Sequence, residues 1–104
     1  MNTMRPLPTK THDVPQPQEL LETDNGICVR AIFLSRAGTF IDQHSHEYGH
    51  TTFVANGSVA MWLNGEDRGD FHAPALIPVA AGAEHTYQSL TNNVMLACIS
   101  KQEN

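Results

Sequence analysis

The chain has few basic residues and no long apolar run. Lys and Arg number 6 against 11 Asp and Glu in 104 residues, so the formal net charge is -5. This negative balance repels phosphate backbones, which argues against nucleic acid and anionic membranes as partners. No run of about 18 apolar residues occurs, so no membrane span is expected. Residues 1–17 lack the apolar stretch of a secretory signal, and we expect a cytoplasmic protein.

Cysteine is also scarce. Cys28 and Cys98 are the two cysteines, and each lies in an apolar, strand-like run. Buried free thiols are the simpler interpretation, and a redox or substrate-contacting thiol is the alternative. A chain of this length forms one domain with a modest core, to which a bound metal or a second copy would add stability.

The N-terminal region is rich in proline. Pro6, Pro8, Pro15 and Pro17 each lack a backbone donor and fix φ, which predicts an extended arm rather than a helix. We assign residues 1–26 to this arm, with a short turn of helix allowed at 18–22. Residues 27–104 then form the folded domain. The arm can lie along this domain or reach a second copy of the chain.

The remainder of the chain consists of short apolar runs separated by turn residues, which is typical of short strands. Asn56-Gly57 and Asn64-Gly65 each follow an apolar run, and both pairs tolerate the positive φ of a type I′ hairpin. No convincing helix interrupts the series, which is typical of an all-β barrel or jelly roll. The predicted strands cover residues 27–34, 39–46, 50–55, 58–63, 75–79, 85–90 and 94–100.

Four histidines have a spacing that can bring their imidazoles together. His44 and His46 are two apart and share one face of a strand. A tight turn at 47–49 would return His50 beside them, and His85 begins a later strand. Neutral imidazoles suit Fe, Mn, Ni, Cu or Zn rather than Ca or Mg. The alternative, unrelated surface or core histidines, would leave any buried imidazole nitrogens unpaired at a cost.

The histidines lie in a recognisable motif. Gly38-x5-His44-x-His46-x3-His50-x6-Gly57 resembles the first motif of the cupin superfamily, G-x5-H-x-H-x3-4-E-x6-G. His50 stands in place of the usual glutamate ligand, a replacement also found in cupins with three or four histidine ligands.

A second motif matches in part. Gly82-x2-His85, with Pro78 nearby, is similar to the end of G-x5-P-x-G-x2-H-x3-N. The chain departs from this motif at three positions, which are Pro74, Ala80 and Ser89. The resemblance covers roughly residues 27–100.

The resemblance implies a small jelly-roll barrel with one divalent transition metal inside, near one mouth. Its ligands would be His44, His46, His50 and His85, and the ion would be Fe, Mn, Ni, Cu or Zn. Four neutral ligands leave the charge of the ion uncompensated, which favours an anionic ligand or a polarised water. A small-molecule ligand or substrate would take the open positions. Small cupins are commonly dimers, so a homodimer is expected.

Strand alternation suggests which other side chains face the cavity. Phe40 and Asp42 would share the face of His44, and Asp42 is a candidate acceptor for an imidazole N–H. Tyr87 shares the face of His85, so we name it a candidate catalytic residue whose hydroxyl orients the substrate; ordinary core packing is the alternative. Outward-facing aromatics, Phe53 and Trp62, need cover from the arm or a second copy.

Three functions fit these features. The leading hypothesis is a metal-dependent enzyme, dioxygenase-like, that acts on a small organic molecule. A non-catalytic cupin that binds or senses a small ligand is the first alternative, and a metal-dependent isomerase or lyase is the second. No Ser-His-Asp arrangement, paired carboxylates or phosphate loop is evident in the sequence.

Overall fold

The fold is all-β. The computed structural model describes residues 4–9 and 16–101, and the regular elements within these ranges are all strands. Within the same ranges no helix has the length and apolar character that crossing a membrane requires. The strands are β1 (Gln18–Asp24), β2 (Ile27–Leu34), β3 (His50–Asn56), β4 (Ser58–Leu63), β5 (Glu66–His72), β6 (Ala75–Val79), β7 (His85–Ser89) and β8 (Val94–Lys101).

The strands form two antiparallel sheets. One sheet has five strands in the order β1-β2-β8-β3-β6, and the other has three in the order β5-β4-β7. Apolar side chains of both sheets meet in one buried cluster, with Leu34, Val54 and Leu96 from the larger sheet and Val59 and Met61 from the smaller. Two facing sheets around one core make the jelly-roll barrel that the sequence predicts.

Strand β1 corrects the interpretation of the N-terminal region. Residues 18–22 are part of an extended strand and not a turn of helix. Leu21 pairs with Arg30 and Asp24 with Ile27, so the larger sheet begins inside the segment that we assigned to the arm. The Asn25-Gly26 pair closes this hairpin, with φ of 52° and 78°.

One prediction about the strands is wrong, and one strand was not predicted. Residues 39–46 make isolated bridges at Phe40 and His44 rather than a regular strand. Without regular alternation, Ile41 packs against the core and Asp42 is exposed. Strand β5, at residues 66–72, was missed because its charged and polar sequence has no apolar period.

The two Asn-Gly pairs have different roles. Asn64-Gly65 forms the predicted hairpin turn, with φ of 50° and 81°, and the strand that follows it is the unpredicted β5. Asn56-Gly57 instead leads from β3 to β4, which lie in different sheets, so it forms no hairpin. Gly57 has φ of 80°, and a Cβ there would lie 2.7 Å from atoms of Thr91 and Val94.

The N-terminal arm covers the outward-facing tryptophan. The indole Nε1 of Trp62 donates to the carbonyl oxygen of Arg5 at 2.9 Å, and the Arg5 guanidinium carbon lies 5.6 Å from the ring centroid. Arg5 is held by Asp67, with Nε to Oδ2 at 2.9 Å. This ion pair keeps the pKa of Asp67 well below its usual range. Trp62 is consequently buried, as the sequence requires.

Candidate metal centre

Two strand starts and one irregular segment bring the histidines together. His50 is the first residue of β3 and His85 is the first residue of β7. His44 forms an isolated bridge with His85, in which each backbone N–H donates to the other carbonyl at 3.2 and 2.9 Å. The backbone itself therefore places a residue of the first motif beside the second motif.

The imidazoles form one cluster. One ligand atom from each of His44, His46 and His85 lies within 4.8 Å of the others, so these three residues can hold a metal ion. The ring of His50 lies beside them, with its centroid 4.8 Å from that of His85 and 5.4 Å from that of His46. All four histidines identified in the sequence are thus brought together, and three of them have ligand atoms at a spacing that suits one ion.

Backbone carbonyls orient two of the rings. The Nδ1 atom of His44 lies 2.8 Å from the carbonyl oxygen of Asp42, and Nδ1 of His85 lies 3.0 Å from that of Ala83. A carbonyl can only accept, so each Nδ1 carries the proton and leaves Nε2 with its lone pair. Asp42 therefore supplies the expected acceptor for His44, but through its backbone oxygen.

Several imidazole nitrogens in the cluster are buried without partners. Neither ring nitrogen of His50, nor Nε2 of His85, has a hydrogen-bond partner among the described residues. A buried polar atom without a partner costs about 1–3 kcal/mol. A metal ion would use such lone pairs, so the donor set fits a divalent transition metal of the kind that imidazole prefers.

Burial keeps these imidazoles neutral. Loss of solvent, followed by the charge of the neighbouring histidines, lowers the pKa of His50 to about 4. Loss of solvent also lowers the pKa of His85 to about 4, and it lowers the pKa of His46. At pH 7 the rings are unprotonated, which is the state that binds a metal.

A narrow cavity opens on the cluster. Its volume is about 30 Å³, enough for about two water-sized groups at ~10–15 Å³ each. The walls combine the imidazoles of His44, His46 and His50 with polar and apolar side chains from β1, β2, β8 and the 39–49 segment. The lining residues are Glu19, Cys28, Arg30, Ile32, Ile41, His44, His46, Tyr48, His50, Cys98 and Ser100.

The inner face of the larger sheet places polar residues in a row beside the histidines. Arg30 pairs with Cys98, and Cys98 pairs with Thr52. Thr52 Oγ1 lies 2.7 Å from the hydroxyl of Tyr87 and 3.4 Å from Cys98 Sγ. Both cysteines are free thiols; Cys28 is buried and Cys98 half-buried, and burial raises the pKa of Cys98.

Tyr87 lies next to the cluster but outside the lining of the cavity. Its ring centroid is 5.9 Å from that of His85, and its side chain is 1 % exposed. Burial raises the pKa of its hydroxyl, which therefore stays protonated at neutral pH. The structure thus places Tyr87 where it can hold Thr52, and its direct contact with a substrate remains a prediction.

Arg30 is the cationic residue of this cavity, and the sequence pattern did not single it out. It lies in an otherwise uncharged strand, ICVRAIFL, and alternates with the buried residues Cys28 and Ile32. A single charged residue on the apolar face of a strand was the feature that could have identified it.

The fold and this site define a cupin-type barrel with a histidine cluster that can hold a metal ion. KdgF from Halomonas sp. is similar in structure at a TM-score of 0.74 and 16% identity, over 90% of this chain and 87% of that one. A cupin superfamily protein from Desulfitobacterium hafniense DCB-2 has a TM-score of 0.74 at 11% identity, over 99% and 95% of the two chains.

A third structure agrees with these two. A cupin 2 domain-containing protein from Halorhodospira halophila has a TM-score of 0.73 at 14% identity, over 99% of this chain and 80% of that one. No protein-family model and no curated protein matches the sequence. At these identities the likeness concerns the fold, and it confirms the cupin jelly-roll architecture predicted from the histidine motif.

Proposed function

We propose that the protein is a metal-dependent enzyme that acts on a small organic molecule, with a dioxygenase as the leading reaction type. The observation that carries the proposal is the set of unpartnered, buried nitrogens on His50 and His85, within a histidine cluster of which His44, His46 and His50 line a cavity. His44, His46, His50 and His85 would hold one divalent transition ion. Such an ion supplies Lewis-acid or redox chemistry at its open positions when bound.

The side chains around the cluster have supporting roles in this proposal. The carbonyls of Asp42 and Ala83 hold the rings of His44 and His85 in one tautomer. Ile32 and Ile41 line the cavity with apolar surface, which limits the entry of water. Tyr87, through Thr52, would keep the polar row in place, and its hydroxyl is the candidate group for orienting a substrate.

Metal content tests the site. The untagged wild-type chain is purified, reconstituted with Fe(II), Mn(II) and Zn(II) in parallel, and assayed by mass spectrometry of the metal. We expect about one ion per chain and its loss in His46→Ala. The exposed His72 provides the matched control, since His72→Ala should keep the ion. If the reconstituted wild type holds no ion, the proposed function is wrong.

Turnover separates the reaction classes. Oxygen uptake with candidate substrates by the iron- or manganese-loaded chain would support the dioxygenase. Substrate conversion without oxygen uptake, also by the zinc-loaded chain, would replace it with a metal-dependent isomerase or lyase. Saturable binding of a small ligand without conversion by any loaded form would indicate a binding or sensing protein.

A further inference from the structure

A cationic side chain shares the cavity with the histidines. Arg30 lies on β2 between Cys28 and Ile32, both of which are buried, so its side chain starts from the inner face of the sheet. It lines the same cavity as His44 and His46.

Arg30 has no protein counter-ion among the described residues. The hydrogen bonds and ion pairs within residues 4–9 and 16–101 include none from its guanidinium group. Glu19 also lines the cavity, but it is exposed on the edge strand and forms no ion pair with Arg30. Arg30 is therefore a half-buried residue whose guanidinium N–H groups form no hydrogen bond to the described residues.

The local charge makes an anion the natural partner. Imidazole is an uncharged ligand when it binds a metal, so an ion held by the histidines would add its full positive charge to that of Arg30. Arg30 is the cationic residue of the cavity lining and Glu19 is its acidic residue, so a bound divalent ion would make this region positive in a chain whose net charge is -5. An anionic group placed between Arg30 and the histidines would be attracted by both.

The geometry favours a carboxylate over a larger anion. A guanidinium offers two parallel N–H groups that match the two oxygens of a carboxylate. The cavity volume of about 30 Å³ accommodates a planar group of a few atoms. The neighbouring lining residues Ile32 and Ile41 offer apolar contact to a short carbon chain.

We propose that Arg30 binds the carboxylate of a small organic acid. A further oxygen of the same acid, such as the hydroxyl of glycolate, then faces the histidine cluster. This inference rests on the proposed function and assigns its substrate class. Arg30 thereby acts as the residue that selects acids over neutral molecules and orients them in the cavity.

The test compares acid and amide probes on the intact chain. Glycolate carries one carboxylate and one hydroxyl, and glycolamide has the same shape without the charge. Binding of each is measured by calorimetry on the metal-loaded chain and by thermal shift on the metal-free chain. We expect glycolate to bind at least about tenfold more tightly than glycolamide, because a hydrogen bond from a guanidinium to a charged carboxylate is stronger than one to a neutral amide.

Variants assign that preference to one residue. Arg30→Gln should lose the preference for glycolate, and Arg30→Lys should retain only part of it, since lysine lacks the paired donors. Arg68 lies on β5 and is exposed, so Arg68→Gln is the charge-matched control and should bind glycolate like the wild type. The comparison of acid with amide on the wild type itself does not depend on the folding of any variant.

The outcomes distinguish this inference from the proposed function. Equal binding of glycolate by the wild type and a metal-retaining Arg30→Gln overturns the role of Arg30. Inorganic phosphate binding as tightly as glycolate overturns the carboxylate class. A wild type that takes up no metal refutes the proposed function alone, because Arg30-dependent stabilisation of the metal-free chain by glycolate is measured separately.

Discussion

At the scale of single residues, the metal-free chain bears an energetic cost at the histidine cluster. His50 is 7 % exposed, and both of its ring nitrogens lack partners among the described residues. The same ring would be retained in an ordinary core only if it made hydrogen bonds, because a buried unpaired polar group destabilises the fold. The site is thus arranged for binding rather than for stability of the empty chain.

Replacement of His50 by an apolar residue of similar size tests this view. We expect His50→Leu to raise the free energy of unfolding of the metal-free chain by about 1–3 kcal/mol, because the unpaired nitrogens are removed. The same variant should bind metal more weakly than the wild type. Urea denaturation of both chains in a chelator measures the first effect, and His72→Leu, at an exposed position, provides the control. A less stable His50→Leu would show that these nitrogens have partners.

At the scale of elements, one glycine connects the two sheets. Gly57 follows β3 and precedes β4, with a positive φ and with Thr91 and Val94 close to the position of a Cβ. Gly65, in the β4–β5 hairpin, has nearly the same φ of 81° but has no atom within 4 Å of that position. Substitutions at these two glycines therefore distinguish the cost of backbone strain from the cost of a steric clash.

Alanine at each position should give different losses of stability. Gly65→Ala is expected to lower the free energy of unfolding by about 1–2 kcal/mol, from the left-handed φ alone. Gly57→Ala adds overpacking against Thr91 and Val94 and should lose a further ~1–3 kcal/mol. Equal losses in the two variants, measured by urea denaturation, would mean that the connection between the sheets relaxes without cost.

At the scale of the whole molecule, the outer face of the larger sheet is apolar. Exposed side chains include Leu76 at 67 %, Met95 at 44 % and Ile99 at 41 %, and half-buried Phe33 and Phe53 lie among them by strand register. Contiguous apolar surface of this kind usually marks an interaction site. The arm covers Trp62 but leaves this face open among the described residues.

We therefore propose that this face pairs with a second copy, in line with the homodimer expected from the sequence. Ile99→Glu should shift the chain towards a monomer in analytical ultracentrifugation, because a charge would be buried at the interface. Leu90→Glu introduces the same charge at an exposed position outside this face and should leave the mass unchanged. A wild type that sediments as a monomer at high concentration would contradict the proposal.

The sequence by itself determined the class of fold and the identity of the clustered histidines. Alternating apolar residues and Asn-Gly turns are local features, so they predicted most strands and the turn at Asn64-Gly65. The spacing of His44 and His46 and the motif around them predicted the partners, His50 and His85, that the structure brings beside them. These features depend on intervals along the chain, which a sequence displays directly.

Only the tertiary structure decided which distant segments of the chain lie next to one another. The separation of β3 from β4 into different sheets, the isolated bridge between His44 and His85, and the cover of Trp62 by Arg5 all depend on contacts between distant segments. Arg30 belongs with these features. The alternation along its strand indicates which face of the sheet it occupies, but not that this face borders the same cavity as the histidines. Such placements follow from how the strands pair and pack, and local periodicity carries no information about which segments become neighbours.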